Sequence, residues 1–203
     1  MTTATATPNA AMAPPHYPIT FDVGPASPQS RLTVLLRYFM AIPHLIILYA
    51  LNIASQVVAL IAWFAILFTG KYPAGLFGFS AGMLRWSTRV NAYMLLLTGQ
   101  YPPFSLDDVP GYPVRLSIDA NLENRNRLTT FFRIIMVIPH FIALAILAIP
   151  VSVVLMISWL VALFTGRVPD GLHNFIAGFA RWSTRANAYM LLLTDEYPPF
   201  SLS

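Results

Sequence analysis

The sequence predicts an all-α membrane protein: four transmembrane helices form two tandem helical hairpins, each followed by an amphipathic interfacial helix, with short β-strands at the cytoplasmic surface. Three observations lead there. From Tyr38 through Phe68, and again from Ile134 through Phe164, no Asp, Glu, Lys or Arg occurs, and apolar runs beyond about 18 residues belong in a bilayer. Only 10% of residues are charged while 57% are hydrophobic. Soluble domains carry about 25% charge, so this chain has too little polar surface to cover its apolar remainder. Finally, the body of the chain is written twice: "RWSTRVNAYMLLLTGQYPPFSL" from Arg85 returns as "RWSTRANAYMLLLTDEYPPFSL" from Arg181.

Shifted by 96 positions, Arg31 meets Arg127, Arg37 meets Arg133, Pro43-His44 meets Pro139-His140, and "FTGKYPAGL" meets "FTGRVPDGL". Upstream, "YPITFDV" at Tyr17 matches "YPVRLSI" at Tyr112 after a one-residue slip. Residues 1–16, rich in Thr, Ala and Pro, lack the basic start and apolar core of a signal peptide and are expected to form a disordered tail. The first repeat is then 17–106, the linker 107–111 and the second repeat 112–203.

Within each repeat the alternating "YPVRLSI" type of segment and the "YPPFSL" segment read as short strands. A single helix over an apolar run of about 31 residues would measure about 46 Å against a hydrocarbon core of about 30 Å. Two crossings per run are therefore expected. Pro150 supplies the break in the second run, and Asn52, Ser55 and Gln56 mark it in the first, placing helices at 31–52, 54–69, 127–148 and 150–165. The hairpins (31–69 and 127–165) put all twelve Lys and Arg on one face. The positive-inside rule makes that face cytoplasmic and puts both termini there.

The interfacial helices are expected over 75–97 and 171–193. In the first, Phe79, Met83, Trp86, Val90, Tyr93 and Leu97 recur at three- and four-residue steps and draw an apolar stripe, while Arg85 and Arg89 project from another face. Such a helix lies in the headgroup layer with Trp86, or Trp182 in the second copy, setting its depth.

Together, "RLTVLLRYFMAIPHLIILYAL", "WFAILFTGKYPAGL" and "RWSTRVNAYMLLLTGQYPPFSL" resemble a widespread bacterial membrane family classed as a domain of unknown function and often present in tandem. The resemblance covers nearly everything after Pro15; it implies a bacterial inner-membrane location and no established activity. Val168 stands where the first copy has Tyr72, and Pro150 where it has Ala54, so neither position carries an indispensable role in both copies.

Candidate functional residues fall into two groups. His44 and His140 are the only histidines in the apolar runs; in parallel repeats they could face each other as haem ligands or each hold a chlorophyll-type pigment, near Arg37 and Arg133. Their Pro-His setting equally suits a structural role, the imidazole satisfying groups that the proline frees. The second group is Arg85, Arg89, Arg181 and Arg185 with Arg37, Arg133, Lys71, Arg167, Trp86 and Trp182, which could meet phosphate-bearing headgroups or a partner. Absence of Asp and Glu from the apolar runs disfavours coupled transport. No G-x-S-x-G elbow or phosphate loop is present, and a chain without cysteine has no disulfide or thiolate site. The net charge of +4 is assigned to orientation and anionic lipid, with no nucleic acid implied. The sequence thus points to a non-catalytic accessory or scaffold subunit that docks to lipid, to other membrane subunits or to itself. A haem- or pigment-binding subunit and a passive channel are the alternatives.

Overall fold

Each apolar run folds as one unbroken helix, not as a hairpin. The computed structural model describes residues 17–119 and 121–203; the N-terminal segment expected to be disordered lies outside them. In chain order the elements are β1 (Ile19–Val23), α1 (Arg31–Thr69), α2 (Ala74–Met94), β2 (Val114–Ile118), α3 (Arg127–Thr165) and α4 (Asp170–Met190). Helices α1 and α3 have 39 residues each, and both are long and apolar enough to cross a membrane.

The expected breaks fail for local reasons. Gln56 donates to the Asn52 side chain at 2.8 Å, an i,i+4 rung that satisfies both amides without leaving the helix. Pro150 stays inside α3, where its missing N–H costs the helix a single i→i−4 bond that packing in a long apolar helix tolerates. The real stop is the Thr-Gly of the FTG motif. Gly70 and Gly166 adopt left-handed φ of 71° and 77° and donate to Ile66 and Ala162, which is the geometry that glycine permits at a helix end.

The expected strands are half right. The YP segments supply β1 and β2, which pair antiparallel with Phe21 opposite Leu116. The YPPFSL segments are not strands but extended straps over α2 and α4. Their consecutive prolines remove the donors that a ladder needs. The helices expected at 75–97 and 171–193 are present as α2 and α4, ending at Met94 and Met190.

The repeats are related by an approximate twofold and exchange contacts across it. Trp63 donates to the Thr130 carbonyl and Trp159 to the Val34 carbonyl, so α1 and α3 run antiparallel. Gln29 N–H meets the Gly166 carbonyl while Arg125 N–H meets that of Gly70. Tyr17 reaches the Glu196 carbonyl at 3.4 Å and Tyr112 that of Gln100 at 3.0 Å. Burial pushes both phenols well above the usual tyrosine range, so they remain neutral donors. Strand β1 packs on α4 and β2 on α2, so each strand covers the other repeat's helix.

Three layers result. The sheet's inner face (Ile19, Phe21, Val114, Leu116) rests on the alanine-rich faces of α2 and α4. Helix α2 packs on α1 and α4 on α3, and among the described residues neither strand approaches α1 or α3. The outer sheet face is polar, with Asp22, Arg115 and Ser117 exposed. The outer face of α1 and α3 is apolar from end to end, from Leu32 to Phe68 and from Leu128 to Phe164.

Candidate functional site

Arg37 and Arg133 are the largest fully buried side chains, with 0% and 1% exposure. Arg37 donates to the carbonyls of Tyr93 and Thr98 and to the Gln29 side chain, and its guanidinium lies 4.4 Å from the Tyr93 ring centroid. Arg133 repeats this with Tyr189 and Thr194 at 2.6 and 2.7 Å, and stacks 4.3 Å from the Tyr189 ring. Both guanidinium groups thereby cap the C-terminal ends of α2 and α4, where the helix carries its negative pole.

One difference separates the two clamps. In the second repeat Asp195 accepts from both Arg133 and Arg125, at 2.7 and 2.9 Å. In the first repeat the equivalent positions are Gly99 and Gln29, both neutral. Gln29 and Arg125 do the same backbone work, donating to the carbonyls of Leu96 and Leu192, two leucines held at φ of 63°. These four positions were invisible as single motifs; only comparing the copies at matched positions reveals the exchange of Gln29 with Gly99 for Arg125 with Asp195.

His44 and His140 sit in separate, equivalent boxes. Trp86 donates its indole N–H to His44 Nδ1 at 3.1 Å, and Trp182 to His140 Nδ1 at 3.0 Å. Phe104 and Phe200 stack on the two imidazoles at 3.7 and 3.9 Å. Accepting at Nδ1 leaves a neutral ring with its proton on Nε2, an atom that is buried without a partner in both copies. The two rings are not brought face to face, so the structure assembles no bis-histidine pair between them. Trp86 and Trp182, only 6% and 9% exposed, are internal hydrogen-bond donors and not headgroup-level anchors.

The RWSTR arginines also turn inward. Arg89 holds the carbonyls of Ser105 and Asp107, and Arg185 those of Ser201 and Ser203. Each arginine thus straps its own YPPFSL segment onto its helix. Burial lowers both guanidinium pKa values from the ordinary range, the direction expected when a cation is desolvated among neutral acceptors. Arg181 donates to the Phe21 carbonyl at 3.3 Å, and the buried Nε of Arg85 has no partner. Lys71 and Arg167 are exposed and pair with the chain's own acids, Glu123 and Asp170.

The straps pass so close that glycine is required beneath them. A Cβ at Gly82 would lie 2.9 Å from the Leu106 backbone oxygen, and one at Gly178 2.8 Å from that of Leu202. Gly82→Ala is therefore expected to lower stability by about 1–3 kcal/mol through overpacking. Gly75→Ala, with nothing within 4 Å, should be neutral or slightly stabilising in the helix. Thermal unfolding of the two variants checks this; equal melting temperatures would refute the close approach.

A cavity of about 630 Å³ opens between the middle of α1 and the facing sides of α2 and α4. Its polar lining includes the amides Asn52, Gln56, Asn91 and Asn187 and one charged residue, Arg133, whose guanidinium is already held by Tyr189, Thr194 and Asp195. The equivalent positions of Asn52 and Gln56 on α3 are Ala148 and Ser152, so the amide pair belongs to one repeat only.

No curated protein and no solved structure matches the chain. A family described as Domain of unknown function (DUF4389) matches residues 31–105 and again 127–201. Each match spans one long helix, one shorter helix and most of one strap, so Arg37 and Arg133, the His–Trp–Phe boxes and Arg89 and Arg185 fall within the matches, while Gln29 and Arg125 lie just before them. With well over half its length covered, the chain belongs to the DUF4389 family and carries two tandem copies of that domain.

Proposed function

We propose that the protein is a non-catalytic accessory or scaffold subunit of a bacterial inner membrane, embedded through the outer faces of α1 and α3. The observation that carries this reading is the contrast between its two surfaces. Arg37, Arg133, Arg89, Arg185, His44 and His140 are committed to internal contacts. Meanwhile an unpartnered apolar layer runs the length of both long helices, far beyond the exposed patches of a few hundred Å² usual for soluble monomers. The polar sheet layer then remains for a membrane-protein partner or a second copy. Lys71, Arg167 and the other exposed basic side chains favour anionic lipid.

The expected result is that the expressed chain stays with the membrane pellet through an alkaline carbonate wash, leaves it only with detergent, and purifies without a visible absorption band. Release by carbonate as a soluble monomer would sink the membrane reading. A Soret or chlorin band that His44→Gln abolishes would replace the scaffold by a cofactor subunit. The cavity supports a second reading, binding of an uncharged amphiphile whose hydroxyl or amide groups meet Asn52 and Gln56 while its tail follows Leu60 and Trp63. Native mass spectrometry of wild type against the Asn52→Ala, Gln56→Ala double variant tests it; identical bound species would remove it.

A further inference from the structure

We propose that α1 and α3 lie in the plane of the membrane, sunk side by side into one leaflet, instead of crossing it. This rests on the membrane-embedded reading above and specifies the partner of that face: the hydrocarbon of a single leaflet, framed by its anionic headgroups.

Length argues first. A helix of 39 residues is about 58 Å long against a hydrocarbon core of about 30 Å. Crossing would require a tilt of about 60°, beyond the range of about 0–40° that crossing helices adopt, or would leave about half the helix in water. The exposed apolar residues do not thin out toward the ends as a protruding helix would require. Leu32 and Phe39 at one end of α1 are 64% and 71% exposed, and Phe68 at the other end 76%. The whole length of the face calls for hydrocarbon.

Layer order argues second. The approximate twofold relates antiparallel α1 and α3 and also passes between Phe21 and Leu116 at the centre of the sheet. The sheet therefore stands over the midpoint of the helix pair. With α1 and α3 upright, the sheet would lie level with the bilayer centre, together with exposed Asp22, Arg115 and the Arg115–Asp108 pair. The outer edges of a two-stranded sheet would also face lipid without partners. Open sheet edges and unpaired charges are not tolerated at that depth. Laid flat, the same molecule puts hydrocarbon under one face and water over the other.

Charge completes the fit. Exposed Arg31 and Lys71 mark the two ends of α1, and exposed Arg127 and Arg167 those of α3. In the plane, all four reach the headgroups of one leaflet, as basic residues at the rim of an embedded helix do. Upright, the antiparallel pair would divide them evenly between the two sides, against the positive-inside bias.

The chain contains no cysteine, so single-cysteine variants need no background correction. The full chain carrying Arg31→Cys, Lys71→Cys, Arg127→Cys or Arg167→Cys is treated with a membrane-impermeant maleimide in spheroplasts and in inverted vesicles. All four positions are expected to label in the same preparation, and spin labels at Leu32, Tyr49 and Phe68 to report one common depth. Labelling of positions 31 and 167 from one side and 71 and 127 from the other overturns the proposal. So does a label at Tyr49 lying deeper than those at both ends. Failure of the chain to sediment with the vesicles would instead remove the membrane-embedded reading, and this one with it.

Discussion

Replacing Arg37 by Ala is expected to destabilise the protein by about 3–5 kcal/mol, through the cavity left by a large buried side chain and the buried acceptors left without a donor. The substitution would leave the Tyr93 and Thr98 carbonyls and the Gln29 side chain without their donor. It would also open a cavity where one of the largest fully buried side chains stood. Arg37→Lys should recover less than half of the loss, because an ammonium cannot present a planar fork to two carbonyls while lying on the Tyr93 ring. Thermal unfolding in detergent or lipid measures both variants. A stability within about 1 kcal/mol of wild type for Arg37→Ala would show that water replaces the guanidinium and that the clamp is dispensable.

The second large effect concerns the difference between the copies. Gln29→Arg alone places a second guanidinium beside Arg37 with no carboxylate in reach, and should cost about 3 kcal/mol or more. Gly99→Asp alone brings an acid beside Arg37, but a Cβ there lies 3.1 Å from Gln29 Cγ, so Gln29 must shift and any gain is small. Together the two substitutions rebuild the arrangement of Arg125, Asp195 and Arg133, and most of the loss should be restored. The coupling between the two sites is expected to exceed about 2 kcal/mol in a double-mutant cycle. Simple additivity would mean that the two clamps are held by different contacts despite their matched positions.

Much of this architecture was legible in the sequence, and the exceptions have separate physical causes. The duplication, the helices following the FTG motif and the strands of the YPITFDV and YPVRLSI segments stand where pattern and spacing place them. The direction of Arg85, Arg89 and Arg185 was not legible. A helix bearing arginines four apart and few acids looks lipid-facing when charge is matched only against charge, but the acceptors of Arg89 and Arg185 are backbone carbonyls. Carbonyls leave no trace in a residue pattern. Trp86 and His44 lie 42 residues apart and find each other only once the strap has fixed α2 on α1. The unbroken long helices were missed because the expectation treated length against bilayer thickness as a reason to fold back, when a helix lying flat obeys no such limit.

The exchange of strands between the repeats bears on how the chain is made. Strand β1 begins at Ile19, yet the helix that it covers, α4, begins only at Asp170. The Tyr17 hydroxyl finds its acceptor at Glu196, within the last ten residues of the chain. Synthesis at about 5–20 residues per second therefore holds the first strand uncovered for roughly ten seconds or more. Until β2 emerges to pair with β1, the nascent chain exposes one finished apolar helix and an unpaired strand edge, a combination prone to wrong association. The first copy thus cannot close before the second emerges. In the membrane-embedded reading proposed above, it is early capture of α1 by lipid that shields this helix while the first repeat waits for the second.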